Sequence, residues 1–403
     1  MTTLILSVFF AISASAYDVE VDGICYNLIE KGKVAEVTKS GYFYYSGDII
    51  IPNSITVNNE EYLVTRIGDN AFDNCQSLNS LTIPNSITSI GNSFFMCWNL
   101  KSVRISDLEA WLKIKFESSY SNPLADAHNL YINDDLATDI VIPNSITNIG
   151  YRAFSGCSCL KSVVIPNSVT NIGESAFAGC SNIISITIPN SVTNIEQFAF
   201  RGCTNLTSII IPNSILNIGM EAFWNCTNLI DITIPNSLTS IGYQTFMGCT
   251  KLKSITIPNS ITTIGYGAFS GCTNLVTVSI GESVNSIDSE AFANCIELKD
   301  VICNSKNIPT AKNDAFNASY IEYVTLHVPE VSIENYKNSE PCSGFGTIVG
   351  IAPQIPENTE IDGINYNINV EALTAEVTNR QDSYTGNINT ELSQVNIYQL
   401  ACL

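Results

Sequence analysis

From Ile142 onward the dipeptide Ile-Pro returns every 23 residues, at Ile142, Ile165, Ile188, Ile211, Ile234 and Ile257, with earlier copies at Ile51 and Ile83. The unit beginning at Ile257 reads IPNSITTIGYGAFSGCTNLVTVS, and Ile280 starts the next. A fixed period in the twenties marks a solenoid, with one supersecondary unit per turn. A unit so short cannot bury its apolar side alone, so it must stack on its neighbours. This constraint outranks the two or three ordinary domains that 403 residues would otherwise suggest. Stacking makes a long surface of near-identical rungs, which suits binding better than chemistry.

One turn can be read locally. Leu252, Ile255 and Ile257 alternate with Thr256 as in a short half-buried strand. Pro258 removes a ladder donor and ends the strand, and Asn259-Ser260 is turn chemistry. The asparagine repeats at Asn144, Asn167, Asn190, Asn213, Asn236 and Asn259, where it is expected to bond backbone groups of the neighbouring turn. Ile261 and Ile264 predict a second extended segment, and Gly265 a tight corner. Ala268-Phe269 and Cys272 are spaced as one helical turn that packs Phe into the core.

Nine of the fourteen cysteines occupy one repeat position: Cys75, Cys97, Cys157, Cys180, Cys203, Cys226, Cys249, Cys272 and Cys295. Rungs about 4.8 Å apart would permit bridges. Side chains sharing one inward direction are instead expected to be free thiols acting as small apolar filler. Cys25, Cys159, Cys303, Cys342 and Cys402 show no zinc spacing, and His128 and His327 are the sole histidines.

The pattern L-x-x-I-x-I-P-x-x-[IV]-x-x-I-G-x-x-A-F-x-x-C, carried over roughly residues 17–356, resembles the leucine-rich repeats of BspA-like surface proteins. Departures are small. Ile195-Glu196 and Ile287-Asp288 replace the Ile-Gly corner, Thr245-Phe246 replaces Ala-Phe, and the rung at Ser93-Phe94-Phe95-Met96-Cys97 is one residue short. The resemblance implies a right-handed repeat solenoid with parallel β-strands on the concave face, short helical turns on the outer side and a β-rich N-terminal cap. It also implies adhesion to host matrix proteins, host cell surfaces or other microbes.

The expected organisation runs as follows. Residues 1–16 read as a signal peptide: Leu4–Ile12 is apolar, Ala14-x-Ala16 is a small-residue cleavage pattern, and no Lys or Arg precedes the run. Residues 17–64 form the N-terminal cap, 65–305 the solenoid and 306–356 a C-terminal cap. Residues 357–403 read as an incomplete second N-terminal cap, because Asp362-Gly363-Ile364-Asn365-Tyr366-Asn367 copies Asp22-Gly23-Ile24-Cys25-Tyr26-Asn27 and no Ile-Pro rung follows. Ile83 and Ile142 lie 59 positions apart, an excess of 36 over one period, most of it an insertion at 107–136. This insertion reads either as a packed excursion from the solenoid edge or as a ligand-contacting loop. Asp107 to Leu112 within it predicts a short helix with acid in its first turn.

A net charge of −20 argues against nucleic acid and anionic membrane surfaces as partners. No later apolar run is long enough for a membrane span. The expected location is secreted or at the cell surface. No catalytic set, phosphate loop or EF-hand is present, so no catalytic residue, cofactor or metal site is expected; Asp134-Asp135 with Asp139 is at most a weak calcium pattern. The outward strand positions carry too few acids for the paired carboxylates of a β-helix polysaccharide enzyme. The reading is therefore a non-enzymatic protein that binds an extracellular protein ligand. The alternatives are a structural spacer displaying another module, a glycan-binding solenoid and, last, that β-helix enzyme. The candidate ligand contacts on the strand face are Lys161, Ser162, Ser185, Thr187, Thr207, Ser208, Asp231, Thr233, Lys253 and Thr256, with Trp111 and Tyr120 from the insertion.

Overall fold

The computed structural model describes residues 17–351 and, beyond them, the backbone of strands Asn358–Ile361, Ile364–Asn369 and Thr374–Arg380. The signal-peptide reading of residues 1–16 and the missing-rung reading of the chain after residue 388 lie outside the described residues.

Each rung contributes a main strand, and these pair in parallel at an offset of one repeat. Strands Asp139–Val141, Ser162–Val164, Ser185–Thr187, Ser208–Ile210 and Asp231–Ile232 place Ile140, Val163, Ile186, Ile209 and Ile232 in one buried column. Strands Ser254–Ile257, Thr277–Ile280, Asp300–Cys303, Thr325–Pro329 and Thr347–Ile351 form the next sheet. In the rungs that carry Ile-Pro the proline ends the strand, having no N–H for the ladder. A two-residue strand follows the turn, and these also stack in parallel, Asn148–Ile149 on Asn171–Ile172 on Asn194–Ile195 on Asn217–Ile218.

The expected helical turn on the outer side resolves into consecutive tight turns. In the regular rungs the residue before the Ala sits at positive φ, as at Arg152, Ser175, Phe198 and Glu221, which breaks any helix. Cys180 N still donates to Phe177 O inside its rung at 3.1 Å, but Phe177 N donates across to Ala199 O at 2.8 Å. Phe200 to Ala222 and Phe269 to Ala291 repeat this bond at 2.8 Å. A helix would keep these N–H groups within one rung; the broken turn joins rungs on this side as well as through the sheets.

The phenylalanines stack. Phe154, Phe177, Phe200, Phe223, Phe246, Phe269, Phe292 and Phe316 follow one another with ring centroids 5.2–5.5 Å apart and nearly parallel planes. Phe345 closes the far end edge-on at 5.3 Å. Near the N-terminus Tyr45 leans on Phe72 at 5.0 Å, and Phe72 stacks on Phe94 at 5.4 Å. Each buried ring adds about 1.5–3 kcal/mol from burial and each pair about 0.5–1.5 kcal/mol more.

Two expectations about polar groups change. Every described cysteine is free, but the ladder thiols do more than fill space. Cys180 Sγ donates to Phe154 O at 3.1 Å, Cys203 to Phe177 O at 3.2 Å and Cys226 to Phe200 O at 3.3 Å. Each weak S–H donor thus meets a buried carbonyl of the preceding rung. The asparagine ladder is partial: Asn236 N donates to Asn213 Oδ1, and Asn259 exchanges bonds with Glu282. Elsewhere the serine after it carries the rung-to-rung bond, Ser168 to Ile146 O at 2.8 Å, Ser191 to Val169 O at 2.6 Å and Ser214 to Val192 O at 2.7 Å. The serines are half-buried against the previous rung, whereas Asn144, Asn167, Asn190 and Asn213 face solvent.

At the N-terminal end, Val19–Val21, Ile24–Ile29 and Val34–Thr38 form an antiparallel sheet. Its last strand pairs in parallel with Glu60–Ile67, which passes the ladder on to Ser89–Ile90. At the other end the main sheet runs past residue 305 through Thr325–Pro329 to Thr347–Ile351, with helix Ile333–Lys337 between them burying Tyr336. The strands at 358–380 are antiparallel in the register of the first cap: Ile361 faces Ile364 as Val21 faces Ile24, and Tyr366 faces Val377 as Tyr26 faces Val37.

Phe223→Ala, at the middle of the stack, is expected to lower stability by about 3–5 kcal/mol, with hydrogen exchange rising most in the adjacent rungs. Chemical denaturation with residue-resolved exchange measures both; an unchanged melting curve would rule out the stack as a stabilising element. Burial pushes the ladder thiols above their ordinary value of 9.0, to about 11 at Cys75 and about 12 at Cys97 and Cys295. The unfolded chain therefore loses thiol protons first as pH rises. The contribution of the neutral thiols is complete below pH 9 and declines as pH climbs toward 12. A thiol reagent at neutral pH should label the ladder only on unfolding, and alkaline titration should lower the melting temperature from about pH 9 upward. Ladder disulfides found by mass spectrometry would contradict this.

Candidate binding surface

The insertion is an extra rung with a swollen turn and a short hairpin. Asp107 caps helix Leu108–Leu112, its Oδ1 accepting from Glu109 N at 2.8 Å and Ala110 N at 3.3 Å. Lys115–Phe116 then pairs in parallel with Ser89–Ile90, and Leu130–Ile132 with Ser102–Ile105. Asp135–Leu136 folds back antiparallel on Leu130–Ile132 before Asp139–Val141 starts the regular sheet. Ile114, Phe116, Leu124 and Leu130 fill core positions, though neither Ile-Pro nor Ala-Phe marks them in the sequence.

Trp111 is not a ligand contact. It is 1% exposed, its Nε1 donates to Ala153 O at 3.0 Å, and its ring meets Phe116 edge-on at 5.3 Å. The indole fastens the extra rung to the regular stack, consistent with the need of a buried indole N–H for a partner. Tyr120, by contrast, is exposed and packs edge-on against Phe95 at 5.2 Å.

The other candidates lie along the main strands. Lys161, Ser185, Thr187, Ser208, Asp231, Thr233, Lys253 and Thr256 are exposed, and Ser162 and Thr207 are half-buried. Because the register offset equals the repeat, equivalent residues form columns. Ser162, Ser185, Ser208 and Asp231 make one, and Val141, Val164, Thr187 and Ile210 another. A third is tied by backbone bonds, Ile184 N to Lys161 O, Thr207 N to Ile184 O and Ile230 N to Thr207 O. Val141, Val164, Ile184, Ile210 and Ile230 are exposed on this face, Ile210 by 72%. The sequence reading left these apolar residues out of its contacts; a β-branched residue at an outward strand position was the available signal. Among the described residues neither Lys161 nor Lys253 has an ion-pair partner.

The acids and histidines along the main strands and beside them are occupied or dispersed. Asp139 accepts from Thr138 at 2.8 Å and Ser162 at 2.5 Å, and Arg104 pairs with Asp134 at 2.8 Å. No group of three or more potential metal ligands forms among the described residues. Asp139 and Asp231 share a column but stand four rungs apart, about 19 Å at strand spacing. Glycosidic carboxylates need about 5–9.5 Å. His327 Nε2 meets Asp300 Oδ1 at 2.9 Å. The nearest hydroxyl in the histidine's column, Ser279, lies two rungs off, about 10 Å. His128 is exposed on the outer turns and contacts Gly156 O through Nδ1 at 3.1 Å.

The profile of the BspA type leucine rich repeat region matches residues 39–122, 127–249 and 216–340, six copies in all. Two solved structures share the fold at 25% identity. A leucine rich cell surface protein of Faecalibacterium prausnitzii A2-165 aligns over 83% of this chain and 95% of its own with a TM-score of 0.50. A leucine-rich repeat protein of Bacteroides ovatus aligns over 83% and 99% with a TM-score of 0.51. Among curated proteins none matches the chain.

Proposed function

Since the chain belongs to the BspA-type leucine-rich repeat family, we propose that it is a non-catalytic adhesion protein, secreted or held at the cell surface, that binds an extracellular protein along its main-strand face. The relative from Faecalibacterium prausnitzii is described as a cell surface protein, which supports that location. No helix among the described residues is long and apolar enough to cross a membrane. The observation that carries the reading is the face itself: flat columns of hydroxyl and β-branched apolar side chains, with two unpaired lysines and no aromatic ring at the candidate strand positions. Such columns can hydrogen-bond and pack against an extended polypeptide of a host matrix protein, a host cell surface or another microbe. The wide separation of the carboxylates weighs against polysaccharide cleavage. A second reading, a spacer that displays another module, draws on the cap-like strands at 358–380.

The test is a binding array of matrix proteins, cell surfaces and microbes. Affinity spread over many similar rungs should make Lys161→Glu or Lys253→Glu cost only about two- to fivefold, as exposed charges do. Removing two whole periods, residues 188–233, should cost about tenfold or more while the remaining rungs stay in phase. Absence of any such partner, together with cleavage of a polysaccharide, would replace this reading with the enzymatic one.

A further inference from the structure

The outer turns part where the rung ending at Cys97 meets the extra rung, leaving a cavity of about 320 Å³. Its cause is legible in the chain. Gly91 and Cys97 are six positions apart where Gly173 and Cys180 are seven, the residue missing before Phe94, while Met96 at φ 63° keeps the positive φ found before each ladder cysteine. Phe95 follows the buried Phe94 at the outer-turn position that Arg201 and Trp224 hold in later rungs, and it is 40% exposed. Tyr120 from the extra rung stands edge-on to it, and Trp98, 65% exposed, completes an aromatic wall.

The same cavity is lined by Asp126 and Arg152. Among the described residues Asp126 has no side-chain hydrogen bond or ion pair, and burial raises its carboxyl above the usual range. Arg152 Nε donates to Tyr151 Oη at 2.9 Å, and its terminal N–H groups have no partner among the described residues. The two charges line one cavity without pairing to each other. An acceptor and a donor held apart beside aromatic faces form an arrangement that the regular rungs do not repeat.

We propose that this cavity is a binding subsite for a neutral sugar ring. The apolar C–H face of a pyranose packs on aromatic side chains, while its hydroxyls both donate and accept. They can bridge the Asp126 carboxylate and the Arg152 guanidinium, each bond being charge-assisted. One charge of each sign favours a neutral ligand over an anionic or cationic one. The volume lies at the low end of small-molecule sites, about 300–1,000 Å³, and so fits one or two rings rather than a chain. The site uses outer-turn residues and shares none with the main-strand face, so it stands or falls separately from protein adhesion.

Saturation-transfer NMR on the full chain tests it, with methyl glycosides of neutral hexoses and N-acetylhexosamines as probes and an acidic sugar and a quaternary ammonium ion as comparators. Transfer to a neutral glycoside is expected. Trp98→Ala and Asp126→Asn should each weaken it about tenfold, with melting curves unchanged because neither side chain is in the core. Lys253→Glu should leave sugar binding intact. No transfer to any neutral sugar, transfer confined to a comparator, or binding that survives the double variant would overturn the proposal.

Discussion

The backbone bond from each outer-turn Phe N–H to the next rung, together with the ring stacked beneath it, is the interaction on which the rest of the structure depends. A 23-residue turn has too little apolar surface to fold alone and too few internal partners for its own N–H and C=O groups. The sheets join rungs at two places on the circumference. The outer turn would be the weak side if it closed on itself as a helix. A positive-φ residue before the alanine of the regular rungs prevents that and directs the phenylalanine N–H to the neighbour. The cysteine thiol then donates to the Phe carbonyl of the preceding rung, so the Phe N–H and C=O on that side both find partners across rungs.

Stacking also explains the chemistry of the surface. Whatever side chain a repeat position holds is set about 4.8 Å from its copy in the next rung. A charged residue there would face its own sign along the whole array, at a cost in repulsion. Serine, threonine and asparagine carry no such cost and bond readily from rung to rung, as Thr170, Thr193 and Ser191 do. This accounts for a chain only 14% charged that still has a polar exterior. The charges on the main strands are isolated members of their columns, which leaves a face with broad, shallow complementarity.

Distinct sites arise where the repetition is broken. A one-residue deletion before Cys97 and an over-long rung next to it disturb the column of outer turns at a single junction. That junction brings together Phe95, Trp98, Tyr120, Asp126 and Arg152, from three rungs, around one cavity. Elsewhere on the outer turns a larger and more open depression lies along His128, Arg201 and Trp224.

The sequence by itself determined the period, the parallel register, the inward positions of Ile, Phe and Cys and the place of the strand ends at proline. Each follows from a repeat whose copies must occupy equivalent environments, so a pattern read in one rung holds in all. It also located helix Leu108–Leu112, through a local cap that needs no distant partner. Whatever lacked a copy was decided by tertiary structure. Trp111 and Tyr120 are similar aromatic residues of one insertion, yet one is fastened beneath Ala153 and the other faces solvent, because only the packed extra rung distinguishes inside from outside there. In the rungs at Ser168, Ser191 and Ser214 the rung-to-rung bond in the proline turn fell to serine rather than to asparagine for the same reason. Both side chains are chemically able to make it, and the choice rests on which one the turn points at the neighbouring backbone.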